Sequence, residues 1–245
     1  MKIALAQIAS VVGDVDANIA RHLAALEHLR AGDAGLAIFP ELSLTNYEPE
    51  IAAEAAIDAA DARLGGFDEF ARNQGIHVCV GAPLETDGKP SISAILFSPA
   101  QPRRVIHKAY LHADEVPLFA PGCGQASVPD LGRRVALAIC HDIGVDAHIE
   151  QAAAQGMEVY VASVAKTADG IAAARERLRT RAREYGVPVL VVNSIGSCEG
   201  RPAGGGSMVI GSDGKLIYSL DDSEQAILVF DLERGQARKL TLDIP

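Results

Sequence analysis

Val135-Ala136-Leu137-Ala138-Ile139 is an unbroken apolar run that stops on Cys140, with polar His141-Asp142 directly after it. A short apolar run bounded in this way reads as a buried strand. Two further runs share the pattern: Leu36-Ala37-Ile38-Phe39-Pro40 ends on Glu41, and Arg103-Arg104-Val105-Ile106-His107 ends on Lys108. Ligands of α/β folds collect at the carboxyl ends of strands, where a buried backbone holds a side chain firmly yet leaves it accessible. The three runs therefore predict an α/β chain whose cleft gathers a thiol, a carboxylate and an ammonium, a set capable of thiol-based acyl transfer.

Around these runs the pattern alternates between strands and helices. A strand is expected at about 2–8, then a helix through Ile19, Leu23, Leu26 and Leu29 that stops at Gly32. Pro49 suits the first turn of an Ala-rich helix, a second short helix should end near Gly75, and strands are expected at 76–82 and 92–98. The Pro-, Gly- and Asp-containing segment between Lys108 and Arg133 is too long for an ordinary connection and reads as a functional loop. Past Cys140, helix-like sequence runs to Gly156, followed by a strand over 158–162, a charged helix at about 169–186 and apolar Val187 to Val192. Gly204-Gly205-Gly206 reads as a tight turn into three more strands ending near Leu232. No repeat or linker divides the chain, and 245 residues with 49% hydrophobic content can bury one large core, so residues 1–245 are expected to form a single domain.

Composition narrows the partners. A formal charge of −10 opposes nonspecific binding to nucleic acid or to an anionic membrane surface. No apolar stretch approaches the roughly 18 to 20 residues that cross a bilayer, and the N-terminus has no signal-peptide pattern, so a cytoplasmic protein is expected. Cys79, Cys123, Cys140 and Cys198 lie far apart without a CxxC pair, which fits reduced thiols better than a disulfide framework or a zinc knuckle. No metal or cofactor is expected.

Each reactive residue also has a plainer reading. A cysteine ending an apolar run is ordinarily a small core residue, although His141-Asp142 take the chain out of the core here and place a backbone N–H beside the sulfur. Glu41 reads either as an exposed strand-end residue or as a partly buried general base. Lys108 reads either as a solvated charge or as a fixed ammonium that lowers the thiol pKa and stabilises an oxyanion. A Cys140-His141 dyad is the rival arrangement, but neighbours on an extended strand point to opposite faces, and the same geometry weakens a metal site of Cys140, His141 and Asp142. A noncatalytic binding protein also stays open.

The ordered residues resemble those of the carbon–nitrogen hydrolase (nitrilase) superfamily, whose catalytic set is Glu, Lys and Cys in that order. The resemblance rests on Phe39-Pro40-Glu41-Leu42-Ser43-Leu44-Thr45-Asn46-Tyr47, His107-Lys108-Ala109-Tyr110-Leu111 and Ile139-Cys140-His141-Asp142-Ile143. Glu115, Phe119-Ala120-Pro121-Gly122, Val191-Val192-Asn193 and Gly206-Ser207 fall where the family would place landmarks. It implies a four-layer α-β-β-α sandwich that assembles into dimers or larger homo-oligomers, with Glu41 as base, Lys108 as oxyanion stabiliser, Cys140 as nucleophile and Glu115 as a second carboxylate positioning the lysine. Tyr47, His141 and Lys166 are the implied substrate-binding residues, Lys166 standing where relatives often carry an aromatic. His141-Asp142, in place of a Trp-Glu pair, resembles the amidase and carbamoylase branches, so the implied substrate is a small polar amide, with an N-carbamoyl amine or amino acid as the alternative. Gly144-Val145-Asp146-Ala147 departs from the Arg-Phe-Pro-Glu run of many amidase-like members.

Overall fold

The computed structural model describes residues 1–123, 127–128 and 131–244. Alternation along β1 (Lys2–Gln7) sets the layering: Ile3 and Leu5 face one core, Ala4 and Ala6 another. β2 (Leu36–Ile38), β3 (His77–Leu84), β4 (Ser91–Phe97) and β5 (Arg104–His107) extend the same sheet on one side. The second sheet is built on β6 (Ser127–Val128), β7 (Val135–Ile139), β8 (Val159–Val164) and β9 (Val189–Asn193). A small hairpin, β10 (Ser197–Cys198) with β11 (Arg201–Pro202), precedes β12 (Met208–Ile210) and β13 (Leu216–Ser219), which complete the second sheet. The chain then returns to the first sheet as β14 (Ala226–Asp231) and β15 (Gln236–Thr241).

Among the described residues the strand orders are β15-β14-β1-β2-β3-β4-β5 and β13-β12-β9-β8-β7-β6. Each sheet is parallel at its centre, β1-β2-β3 in one and β7-β8-β9 in the other, and antiparallel toward its edges. Ile3, Leu5, Ile38, Val135, Leu137, Val161 and Leu190 interleave between the sheets. The outer face of the first sheet packs on α1 (Val15–Leu26) and α2 (Gly65–Gln74). That of the second packs on α3 (Asp146–Ala154) and α4 (Ala168–Tyr185). Small Ala136 and Ala138 on β7 let these helices approach closely. The expected four-layer α-β-β-α sandwich is the architecture found.

Polar ties cross the seam between the sheets. Ser163 Oγ on β8 donates to the Phe39 carbonyl at 2.8 Å. Gln7 at the end of β1 donates to the carbonyls of Asp221 and Glu224 and accepts from Ser207 N. Buried polar groups satisfied in this way fix how the two sheets dock, because leaving any of them unpaired would cost about 1–3 kcal/mol.

Several expectations need correction. The Ala-rich helix after Pro49 is a single 3-10 turn, Pro49–Ile51. Ile57 is instead drawn out as a bridge to the end of β3, donating to Pro83 O and accepting from Glu85 N, so tertiary pairing overrides helix propensity. The helix expected from Cys140 to Gly156 is two elements, a 3-10 turn at Cys140–Gly144 and then α3. β15 was not expected, because Gln236-Ala-Arg-Lys-Leu-Thr is a polar edge strand with little apolar signal. Of the long segment after Lys108, residues 124–126 and 129–130 lie outside the described residues.

Candidate active site

The turn after β2 presents Glu41. Phe39 N still donates to Cys79 O at 2.9 Å, and Leu42 then takes φ 49, turning the chain back so that Leu44 N reaches Gly81 O at 2.9 Å. The bend presses on Gly81: a Cβ there would lie 2.4 Å from Pro40 O and 2.5 Å from Leu42 N. Only glycine lets β3 run this close beneath the carboxylate-bearing turn. Lys108 follows β5, its N–H donating to Ile92 O at 2.8 Å and its carbonyl accepting from Gly122 N at 2.8 Å. Cys140 sits at the end of β7 with φ 44, in the left-handed region that costs a non-glycine residue about 1–3 kcal/mol. This conformation starts the 3-10 turn and projects the thiol away from the strand line.

Asp142 locks that turn. Its Oδ2 accepts from Ile139 N at 3.0 Å and its Oδ1 from Tyr110 N at 2.8 Å. One carboxylate thus joins the strand end carrying Cys140 to the segment two residues beyond Lys108. Both of its oxygens thus accept from backbone donors. Among the described residues no cluster of three or more His, Cys, Asp or Glu is arranged to hold an ion. Sequence alone does not show that Asp142 locks its turn or that Gly81 makes room for the one bearing Glu41. The signal for Asp142 was its place two residues past the cysteine, where a short acceptor can satisfy a strand end; Gly81 gave none, since its close neighbour is 40 residues away.

The four acid, base and thiol groups converge. Lys108, 1% exposed, is no surface charge: its Nζ donates to Glu41 Oε1 at 2.8 Å and to Glu115 Oε1 at 2.6 Å. Glu115 is held in turn by Tyr47 OH at 2.6 Å and by His112 N, which donates to its Oε2 at 2.7 Å. Tyr47 thus bears on the lysine through Glu115. Glu41 Oε2 is buried with no hydrogen bond of good geometry, yet the Cys140 thiol lies close enough to favour the ionised carboxylate.

Burial pushes the Glu41 carboxyl above the usual carboxylate range and Glu115 adds to this, while Lys108 pulls the other way. Burial alone would lower the Lys108 pKa, but Glu41, Cys140 and Glu115 outweigh it and keep the ammonium charged. For the thiol the expectation of a lowered pKa is overturned. Burial and the Glu41 charge push Cys140 up to about 11, against the smaller opposing pull of Lys108, Lys166 and the Ala165 N–H. The resting group is a neutral thiol beside a carboxylate, as general-base activation requires.

Cys140, His141 and Lys166 line one cavity of about 220 Å³ together with Gly144, Gly170 and Arg177. His141 stacks edge-on to His112 at 5.1 Å between ring centroids, and no hydrogen bond links its ring to the thiol. Burial, His112 and Lys108 hold its pKa below the ordinary value. The Lys166 backbone is clamped: its N–H donates to Asn193 Oδ1 at 2.8 Å, and its carbonyl accepts from Asn193 Nδ2 at 3.0 Å and Gly204 N at 2.7 Å. The Asn193 landmark and Gly204 of the glycine turn thus hold one wall of the cavity. Cys79 and Cys198 are buried and pushed up to about 12, chiefly by burial, and Cys123 is exposed.

Residues 2–241 match the carbon-nitrogen hydrolase family model. The chain belongs to the carbon–nitrogen hydrolase family. Among curated relatives, this hydrolase is similar to an (R)-stereoselective amidase of a Pseudomonas species, 27% identical over 99% of this chain and 89% of that protein. It is also similar to the glutamine-dependent NAD(+) synthetase of Thermotoga maritima, 25% identical over 100% of this chain but 44% of that longer protein. Among solved structures it is similar to the nitrilase-superfamily amidase of Nesterenkonia AN1, with a TM-score of 0.83 and 27% identity, covering 95% of this chain and 91% of that one. In one structure of that amidase the acetamide moiety of fluoroacetamide is covalently added at the active-site cysteine.

Proposed function

We propose that this carbon–nitrogen hydrolase cleaves the C–N bond of small polar amides through a thioester on Cys140. The observation that carries the reading is the buried Glu41–Lys108–Glu115 chain, with the neutral Cys140 thiol set against Glu41. Glu41 takes the S–H proton as sulfur attacks the carbonyl carbon. Lys108 and the His141 backbone N–H stabilise the oxyanion of the tetrahedral intermediate. Glu41 then returns the proton to the leaving nitrogen, ammonia or amine departs, and a thioester remains. Water attacks the thioester with Glu41 again as base, releasing the acid and restoring the thiol. Glu115 and Tyr47 position the ammonium; an oxyanion donor of this kind is worth about 2.7–4 kcal/mol in the transition state.

The Pseudomonas and Nesterenkonia relatives are amidases, which supports amides over nitriles as substrates. An intact acid, base and thiol set argues against a noncatalytic binding role. The reading takes residues 1–245 as one hydrolase domain, supported by a core between the sheets that draws on residues from Ile3 to Phe230. Four free cysteines suit a reducing compartment such as the cytoplasm. Exposed Val116, Leu118, Leu216 and Ile217 suit a homodimer or larger homo-oligomer, which light scattering would measure. Among the described residues no helix is long and apolar enough to cross a membrane.

The test is ammonia release from matched panels of small amides, N-carbamoyl amines and nitriles. At least one amide should turn over, with an acyl mass increase on Cys140. Cys140→Ala should lose turnover at an unchanged melting temperature. Full activity in that variant, or nitrile turnover with silent amides, would reject the reading.

A further inference from the structure

We propose that the cavity before Cys140 selects amides whose acyl chain ends in a carboxylate, held by Lys166 and Arg177. This rests on the reading of Cys140 as nucleophile and goes further, to the class of acid it acylates with. Lys166 and Arg177 line the same cavity as the thiol. Among the described residues neither side chain has a hydrogen-bond or ion-pair partner. On α4, Arg179 bonds Gly214 O and Glu176, and Arg181 pairs with Glu184 and Asp146, while Arg175, whose Nε also lacks a partner, is not part of the lining. Two unpaired cations facing one cavity, in a chain of net charge −10, are arranged for a soluble anion.

Local electrostatics make such cations necessary for an acidic substrate. Behind the thiol two carboxylates, Glu41 and Glu115, share the single ammonium of Lys108. A substrate carboxylate entering this cleft meets repulsion unless cations at the cavity wall offset it. Lys166 lines the cavity beside Cys140 and His141, and its charge is felt at both the thiol and the imidazole. Arg177 reaches the wall because residue 144 is glycine: a Cβ there would lie 2.9 Å from the Arg177 guanidinium and 3.9 Å from the His141 ring. The glycine at 144, where the sequence departs from the Arg-Phe-Pro-Glu run, leaves that space to the guanidinium. Asp169, in the first turn of α4, is exposed and is not part of the lining.

Size limits the acid. At about 220 Å³ the cavity is smaller than the roughly 300–1,000 Å³ of drug-sized sites, which suits a short chain carrying an amide at one end and a carboxylate at the other. The planar guanidinium can meet that carboxylate with two parallel hydrogen bonds, while the lysine supplies a point charge.

The experiment compares kcat/KM for succinamate with butyramide, and for glutaramate with valeramide, pairs that differ by a carboxylate in place of a terminal methyl. Wild-type protein should prefer the acid amide of at least one pair by tenfold or more. Arg177→Met and Lys166→Met should each lower the acid-to-neutral ratio by tenfold or more, and Arg177→Glu should invert it. Because Lys166 also acts on the thiol, the ratio is the readout, not the absolute rate. As a readout independent of turnover, succinate should slow iodoacetamide alkylation of Cys140 in wild type and lose that effect in Arg177→Met. Neutral amides preferred in both pairs, or ratios unmoved in both methionine variants, would overturn the inference and leave the amidase reading standing. No ammonia from any amide would overturn both.

Discussion

Replacing Glu41 by glutamine should separate turnover from thiol acidity. The Glu41→Gln side chain keeps the shape of the carboxylate, and its carbonyl can still accept from Lys108, which remains tied to Glu115. As a general base it is useless, and losing such a base costs roughly 10²- to 10⁴-fold in rate. The thiol should move the other way. Burial and the Glu41 charge together push Cys140 from an ordinary 9.0 up to about 11, and only the second cause is removed. If the thiol returns about half that distance, the thiolate fraction at pH 8 rises about tenfold. The assay follows ammonia release and, by peptide mapping, iodoacetamide labelling of Cys140 between pH 6 and 10, with buried Cys79 as internal control. The expected result is amide turnover down by at least about 10²-fold with faster alkylation and a lower apparent thiol pKa. Alkylation that slows in step with turnover, at an unchanged or higher thiol pKa, would refute the charge argument.

Gly81→Ala should disable the site from beneath. Its Cβ would lie 2.4 Å from Pro40 O, so the turn bearing Glu41 must shift, and a displacement of about 1 Å at a reacting group can cost 10²-fold. Turnover should fall by about that factor with a smaller change in melting temperature; near-wild-type kcat would show that the turn is not held by this contact. Acid stability offers a separate check. His22 is buried between Asn18 O and Ser43 Oγ, and burial lowers its pKa from 6.5 to about 3. Below pH 6.5 the unfolded chain therefore binds a proton that the folded one refuses, and stability is lost at up to about 1.4 kcal/mol per pH unit as pH falls toward 3. His148, lowered to about 4 by burial, acts in the same sense, whereas Asp142, raised to about 6, opposes it between pH 6 and 4. His22→Gln should flatten the fall in urea midpoint from pH 6.5 to 4.5, and an unchanged slope would show that His22 is not a source of it.

What the sequence disclosed was local or periodic. The runs ending on Glu41 and Cys140 could be read because a buried strand is apolar throughout and its first reactive residue marks where it stops, whereas Lys108 follows an edge strand, Arg104–His107, in which only Ile106 is buried. Gly75 could be read as a helix end because a left-handed cap, φ 66, favours glycine. Hidden features depend on distant partners. The segment after Ala52 has helical composition but spends its backbone on β3. The attraction between Lys108 and Cys140 could be anticipated, but not the burial and the Glu41 charge that outweigh it. The role assigned to Asp142 requires knowing that Tyr110 and Ile139 end side by side.

Glu41 and Lys108 hang from one sheet and Cys140 from the other, so the reactive centre exists only at their docked seam. Neither half of the polypeptide contains a working subset. During synthesis the base and the ammonium leave the ribosome before the thiol, and the three meet only after β7 has closed on the earlier strands. A damaged or partly opened molecule therefore stops releasing ammonia, even though its thiol, freed of burial and of Glu41, falls back toward an ordinary 9.0. Ammonia release consequently serves as a reporter of conformational integrity, counting only molecules whose two halves are sealed.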